Sequence, residues 1–351
     1  MTGRERRRRR RRTVLAVLGL IVVALVVWGV LWYEGEVSPG PAGPAVIVTV
    51  PDGASVSAVT ADLARTGVVG SSLAFRLYLF LHGTPTVLSG RYQLHQDQGF
   101  GSVRTALAAG PNVFAVTVLP GTTVSEVASA VGKEAPGHSQ TGFSSLAGSG
   151  VLRSPWQASG SDNLDGLLGT GTYLVVPGES DSELLGQMID RFDGVANGVG
   201  LTAAAAADGV TPYEAITAAS IVQKEAISPG DSAAATAHNV GPVARVIYNR
   251  LARGTPLQMD STVLYAEGRD GGTVTSADLA LATPYNTYLH TGLTPTPICF
   301  PSLIALRAAL HPPAGGWLYF QLTSADGTET FSDTFAEQQA AEKLAQSRGL
   351  P

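Results

Sequence analysis

The stretch TPYEAITAASIVQKEA, residues 211–226, decides how the chain is read. It predicts a helix: Pro212 suits a first turn, and Ala218, Ile221 and Val222 fall on one stripe. At about 100° per residue, Glu225 lies in the middle of that stripe, where the pattern calls for a leucine. A carboxylate is almost never buried without a partner, so this one needs a reason. Lys224 is turned away from the stripe by about 100°, and neither Gln223 nor Ala226 titrates. The helix stops at once in Ile227-Ser228-Pro229-Gly230, which sets the carboxyl beside a loop. A carboxyl in a partly apolar cleft keeps its proton to higher pH and can act as a general acid. The plainer alternative is a helix-end glutamate paired with a nearby Lys or Arg.

Downstream, LARGTPLQMDSTVLYA (251–266) crowds Gln258, Asp260, Ser261, Thr262 and Tyr265 between two apolar patches. TPYNTYLHTGLTPTPICFPS (283–302) is rich in Pro, Thr, Tyr and Asn, and carries Tyr285 and Asn286. Such loops offer hydrogen bonds with little charge and flat faces for stacking, which suits sugar recognition. Around them the pattern predicts helices at 184–192, 239–254 with Gly254 as C-cap, 301–312 and 334–347. WLYFQL (317–322) and TETFSD (328–333) flank Asp326-Gly327, a hairpin signal.

Upstream there is an internal echo. VTVPDGASVSAV (48–59) and VTVLPGTTVSEV (116–127) match at seven of twelve positions, each a strand, a glycine turn and the start of a helix. Between them lie a predicted helix at 71–83, a strand LSGRYQL (88–94) and a helix at 102–110. We read 46–135 as a small α+β module, either a plain platform or a carbohydrate-binding domain resembling LysM. Residues 136–163 are Ser/Gly-rich and read as a linker region, as do the Pro/Gly-rich residues 34–45.

The N-terminus sets the location. Residues 13–33 carry no charge over 21 positions, enough for a helix across a ~30 Å hydrocarbon core. Trp28, Trp32 and Tyr33 sit near the outer end as an aromatic belt would. The segment is too long for a signal-peptide core and ends in bulky residues, so we read it as a retained anchor. Residues 1–12 hold eight Arg and one Glu and predict a cytoplasmic tail, with the rest of the chain outside. Of the 23 basic and 28 acidic residues in the chain, 15 and 27 remain beyond the tail. That acidic balance excludes a basic nucleic-acid footprint on the globular part. Twelve residues are too few for a signalling domain, which argues against a transmembrane sensor. The single cysteine, Cys299, excludes an intrachain disulfide and reads as structural, and His311 before Pro312 reads as a helix cap. No H-E-x-x-H, G-x-S-x-G or C-x-x-C occurs.

ASIVQKEA, PVARVIYNRL, LQMDSTVLYA, TPYNTYLHTGLTPTPI, LYF and ETF occur in one order. That series resembles the YceG-like (MltG) family, the membrane-anchored endolytic murein transglycosylases. The likeness is strong over 164–343 and looser over 46–135, where the V-P-x-G turns and the G-x-Y strand carry it. It implies an α+β protein with one N-terminal transmembrane helix, a small LysM-like domain and a larger catalytic domain over 164–351. It further implies a bacterial inner-membrane enzyme that cuts the MurNAc–GlcNAc bond of nascent peptidoglycan and leaves a 1,6-anhydro end, without metal or cofactor. The family's catalytic glutamate matches Glu225, while an earlier glutamate of its motif is Gln223 here. Gln258, Asp260, Thr262, Tyr285 and Asn286 become the expected sugar-positioning residues. Wall synthases become the expected neighbours. The family's Leu-Glu-Gly-Tyr-Leu-Phe-Pro-Asp-Thr-Tyr run reads LDGLLGTGTY (164–173) here, which alters one expected wall of the cleft. The alternative that this change raises is a non-catalytic peptidoglycan-binding scaffold of the same fold.

Overall fold

The computed structural model describes residues 3–350, with side chains described from Thr13 onward. Met1 and Thr2 of the Arg-rich tail, and Pro351, lie outside the described residues. The chain divides into two compact units, residues 1–114 with 176–178, and residues 115–175 with 179–351.

The first unit begins with helix α1 (Gly3–Val37), whose Thr13–Val37 portion contains an 18-residue window with a mean hydropathy of 3.0 and no buried residues. Strand β1 (Ala45–Val50), helices α2 (Val56–Arg65) and α3 (Ser72–His82), strand β2 (Gly90–His95) and helix α4 (Phe100–Ala109) follow. β1 and β2 pair antiparallel, with Val48 opposite Tyr92 and Val50 opposite Gly90. Leu63, Phe75, Tyr92, Phe100 and Val103 are fully buried between sheet and helices. The Gly90-x-Tyr92 signature has a local cause. Gly90 sits at φ +141° and a Cβ there would lie 2.5 Å from Pro111, while Tyr92 fills the core and donates to the Leu88 carbonyl at 2.7 Å. The predicted spacer starts later than the sequence pattern suggests. α1 runs on to Val37 because Tyr33 and Val37 pack against this core.

The second unit contains strand β3 (Phe114–Val118), which begins at its edge, and helices α5 (Val124–Glu134) and α6 (Gln140–Ala147). Strand β4 (Gly171–Val175) pairs with β3. Next come helices α7 (Asp181–Gly198), α8 (Leu201–Ala207), α9 (Pro212–Glu225), α10 (Ala233–Ala252), α11 (Asp260–Ala266), α12 (Ser276–Leu279) and α13 (Leu303–Leu310). The hairpin of β5 (Tyr319–Leu322) and β6 (Glu329–Ser332) and helix α14 (Phe335–Ser347) complete it.

Two expectations shift here. The unit boundary falls at 114/115 rather than near 135, because Val116, Val118, Val127 and Val131 of the second echo join the large core. Residues 136–163 are not a bare linker. Ser139 caps α6, accepting from Gly142 N, and Phe143 and Ala147 turn one face of that helix into the same core.

α9 is the centre of the unit. Residues Ala215–Gln223 are all buried, so the helix is enclosed on every side rather than along one stripe. Small residues on α9 and α13 let the two helices pack closely, and α10 closes another side. Complete burial of Ile216, Ile221 and Val222 contributes roughly 1.5–3 kcal/mol each. The capping box of Thr211 and Glu214, with Pro212 in the first turn, fixes where α9 starts and hence where Glu225 ends it. α10 starts six residues before the predicted 239, at an N-cap Ser232. It ends at Ala252 with Arg253 as C-cap, one position before the predicted Gly254, whose φ of +64° allows Thr255 N to reach the Arg250 carbonyl at 3.0 Å.

Candidate functional site

A cleft of about 960 Å³ opens in the second unit, and Glu225, the last residue of α9, lies in its lining. The carboxyl emerges from a buried surround of Ile221, Val222 and Ala226. Ser261 approaches it from α11. The Ser261 N–H and hydroxyl both donate to Glu225 Oε1, at 3.1 and 2.5 Å. Among the described residues no hydrogen bond is made to Oε2. Burial pushes the Glu225 carboxyl above the usual glutamate range, and the nearby Asp260 charge adds to this. The two Ser261 hydrogen bonds act in the opposite direction. The result is a carboxyl with one oxygen fixed and a proton retained at higher pH than usual.

α11 explains which predicted residues face the cleft. Ser261, Leu264 and Tyr265 line it, as helical spacing of three and four residues dictates. Thr262 is turned to the opposite side. It is fully buried, with its hydroxyl bonded to the Met259 carbonyl at 2.7 Å and to Thr287 Oγ1 at 2.9 Å. Asp260 lies at the exposed rim of the cleft and accepts from the Tyr288 hydroxyl. Tyr285 also lines the cleft, with its hydroxyl 2.9 Å from Thr296 Oγ1. Asn286, next to it, is fully buried. Its amide donates to the Leu279 and Leu281 carbonyls and its oxygen accepts from Tyr288 N. Gln258 is exposed outside the cleft lining, held at φ +52° by a hydrogen bond from its N–H to the Thr287 carbonyl. The fold thus gathers Glu225, Asp260 and Tyr285 around one space. Thr262 and Asn286 lie behind it, bracing the wall.

Ser261 and Asp165 complete the site. The polar run contained Ser261, but a reading of it as loop gave no face on which Ser261 and Glu225 could meet. Asp165 is buried in the cleft wall and accepts from the Tyr265 hydroxyl at 2.6 Å and from Val124 N at 2.7 Å. Burial raises its carboxyl, against those hydrogen bonds. The Tyr265 and Tyr285 rings lie 5.1 Å apart, so the Asp165 wall is continuous with an aromatic surface. The two cations of the cleft are both tied to acids, Lys224 to Asp270 and Arg269 to Glu267 and Asp278. Among the described residues no three His, Cys, Asp or Glu side chains are grouped as metal ligands.

Other residues singled out in the sequence have structural explanations. Gln223 accepts from Ser302 N at 2.9 Å, which ties α9 to the start of α13. Gly169 lies against α7, where a Cβ would meet Arg191 Cβ at 2.7 Å, and Gly171 abuts the Arg191 guanidinium. The altered 169–171 stretch therefore borders α7, and of LDGLLGTGTY only Asp165 lines the cleft. Cys299 is buried, its thiol pushed up by burial and donated to the Ser220 carbonyl. His311 occupies the C-cap position of α13.

The sequence profile of the YceG-like family matches residues 48–344. An endolytic murein transglycosylase of Bacillus subtilis is 29% identical over 319 residues, covering 86% of each chain. A protein of the same name from Streptococcus pneumoniae is 28% identical over 312 residues, 80% of this chain and 55% of that one. The 2.6 Å crystal structure of a YceG-like protein from Listeria monocytogenes superposes with a TM-score of 0.56 at 24% identity, over 85% of this chain and 99% of that one. With the profile spanning most of its length and a solved member sharing its fold, this chain belongs to the YceG-like family.

Proposed function

We propose that the chain is a membrane-anchored endolytic transglycosylase acting on peptidoglycan glycan strands, with Glu225 as its single acid and base. The observation that carries this reading is the Glu225 carboxyl itself, raised by burial, fixed through one oxygen by Ser261 and bordering a cleft large enough for sugar rings. The two relatives named endolytic murein transglycosylase support the substrate class.

In the first step the protonated Glu225 gives its proton to the oxygen between MurNAc and GlcNAc, and the C1–O bond breaks. Ser261 occupies Oε1, so the proton is delivered from Oε2. Positive charge develops on the MurNAc ring, and the Glu225 carboxylate now faces it. In the second step the carboxylate removes the proton of the MurNAc 6-hydroxyl, whose oxygen bonds to C1 and closes the 1,6-anhydro ring. Glu225 ends protonated and no water is consumed. Asp260 at the rim is suited to steady the developing positive charge, and Tyr285 to support a sugar ring by stacking. Thr262, Asn286 and Gln258 act by holding the 258–262 and 286–288 segments in register. Thr13–Val37 serves as a single-pass anchor, with the Arg-rich tail in the cytoplasm and both units on the wall side.

The test uses residues 34–351 and uncrosslinked glycan strands, with the ends read by mass spectrometry. Anhydro-MurNAc ends from the wild type and none from Glu225→Gln support the reading. Reducing ends would make the protein a hydrolase with a second carboxylate, first Asp260. Binding without cleavage by either would make it a wall-binding scaffold.

A further inference from the structure

Among the described residues, the outer face of α3 has no partner in the first unit. Ala74, Phe75 and Leu79 turn one side of this helix into the core. The opposite side is just as apolar: Leu73, Leu77, Phe80 and Leu81 are 70%, 47%, 83% and 61% exposed. They follow the i, i+4, i+7, i+8 spacing of one helical stripe. A helix that is apolar on both sides has a second apolar environment to meet. The neighbouring α2 lacks this feature: around Val56 its outward positions are Ser57, Ala58, Ala61 and Arg65.

The position of α3 says what that environment is. α3 packs beside the end of α1. The Glu36 carboxylate lies against Gly70, just before α3 starts, while Tyr33 and, inside α3, Tyr78 pack against the same core. Advancing along α3 therefore leads back along α1 toward its apolar span. At about 1.5 Å per residue, Phe80 and Leu81 lie within a turn of the level of Tyr33. That is the level of the aromatic residues Trp28, Trp32 and Tyr33, which mark a bilayer interface. α3 carries no carboxylate, and its Arg76 and His82 suit a headgroup layer.

We propose that the Leu73, Leu77, Phe80 and Leu81 face of α3 is seated in the surface of the lipid bilayer that α1 enters. This rests on the reading of Thr13–Val37 as a membrane span. The seat makes the first unit a membrane-surface module, tilted by α3 rather than swinging on a single helix.

The full chain is reconstituted in phosphatidylethanolamine/phosphatidylglycerol vesicles, with one nitroxide label at a time on Phe80→Cys, Leu73→Cys, Val22→Cys or Val56→Cys. The native Cys299 is fully buried and stays unlabelled in the folded chain. Collision with oxygen and with a water-soluble nickel chelate reports the environment of each label. The expected result is oxygen-rich, nickel-poor labels at Val22, Phe80 and Leu73, and a nickel-accessible label at Val56 on α2. A Phe80 label as open to nickel as Val56, with Val22 still in lipid, overturns the seat and leaves the anchor standing. A Val22 label open to nickel overturns both. Dipolar broadening at Phe80 that vanishes on dilution with unlabelled chain overturns the seat in favour of a second copy.

Discussion

Residues 48–59 and 116–127 spell nearly the same strand, turn and helix start, and the structure gives them different work. In both, a glycine turns the chain at positive φ, Gly53 at +69° and Gly121 at +85°. In both, a hydroxyl caps the helix, Ser55 for α2 and Thr123 for α5, and a valine four residues on, Val59 or Val127, is buried. They part at the third helical position, which is Ala58 in the first and Glu126 in the second. Glu126 closes a capping box by accepting from Thr123 N at 2.8 Å. The second repeat is also joined to the site. Gly121 N donates to the Phe300 carbonyl at 2.8 Å, Phe300 N donates to Thr122, and Val124 N donates to Asp165. One local pattern thus builds a solvent-facing turn in one unit and a cleft wall in the other. What differs is where its spare N–H groups go.

Under the proposed function the chemistry belongs to the unit of the second repeat, so the largest effect should come from there. Glu225→Gln is expected to lower glycan cleavage by at least about 10²–10⁴-fold with the fold intact, measured by product mass spectrometry and circular dichroism. Removing the partner that receives the second repeat comes next. Asp165→Ala leaves Val124 N–H and the Tyr265 hydroxyl without acceptors, at about 1–3 kcal/mol for each group, and is expected to lower Tm by several degrees. Asp165→Asn, which keeps an acceptor, should lose less. Equal Tm for both variants would break the claim that the wall hangs on this carboxyl.

The second unit should also own the pH dependence. Glu329 of β6 is buried, its Oε2 makes no hydrogen bond, and burial with the Glu225 charge pushes its carboxyl up to about 8. A carboxyl raised in the folded state is neutral there while the unfolded chain ionises. Stability therefore falls as pH rises from the ordinary glutamate range near 4.5 toward about 8, and levels off above that. The slope is at most about 1.4 kcal/mol per pH unit from this group. Glu329→Gln should flatten the fall between pH 5 and 8, seen in denaturant unfolding at several pH values. An unchanged slope sinks the assignment.

The smallest effects compare the repeats directly. Ser55→Ala and Thr123→Ala each remove a cap worth about 1 kcal/mol, but only Thr123→Ala should also lower cleavage. Ala58→Glu copies the missing capping-box residue into the first repeat and should add roughly 0.3–1.5 kcal/mol without touching activity.

Much of this was legible along the chain because its causes are local. The apolar run of 13–33, the echo, the Asp326-Gly327 hairpin, the Gly254 stop and the misfit of Glu225 in its stripe all follow from periods and turn chemistry between near neighbours. Composition alone misled at 136–163, where two buried residues of α6, Phe143 and Ala147, outweigh a Ser/Gly background. The residues that surround Glu225 were beyond such reasoning. Ser261 is 36 positions away, and Asp165 lies about 60 positions before it and 100 from its Tyr265 partner. Once α11 forms, its period turns Ser261 and Tyr265 to the cleft and Thr262 to the core, although all three are equally polar in the sequence. The sequence by itself determined most of the helices, the β5–β6 hairpin, an apolar segment long enough to span a membrane, and which glutamate is out of place. Only the tertiary structure decided which oxygen of that glutamate is free, because hydrogen-bond partners are chosen by packing between distant elements rather than by spacing along the chain.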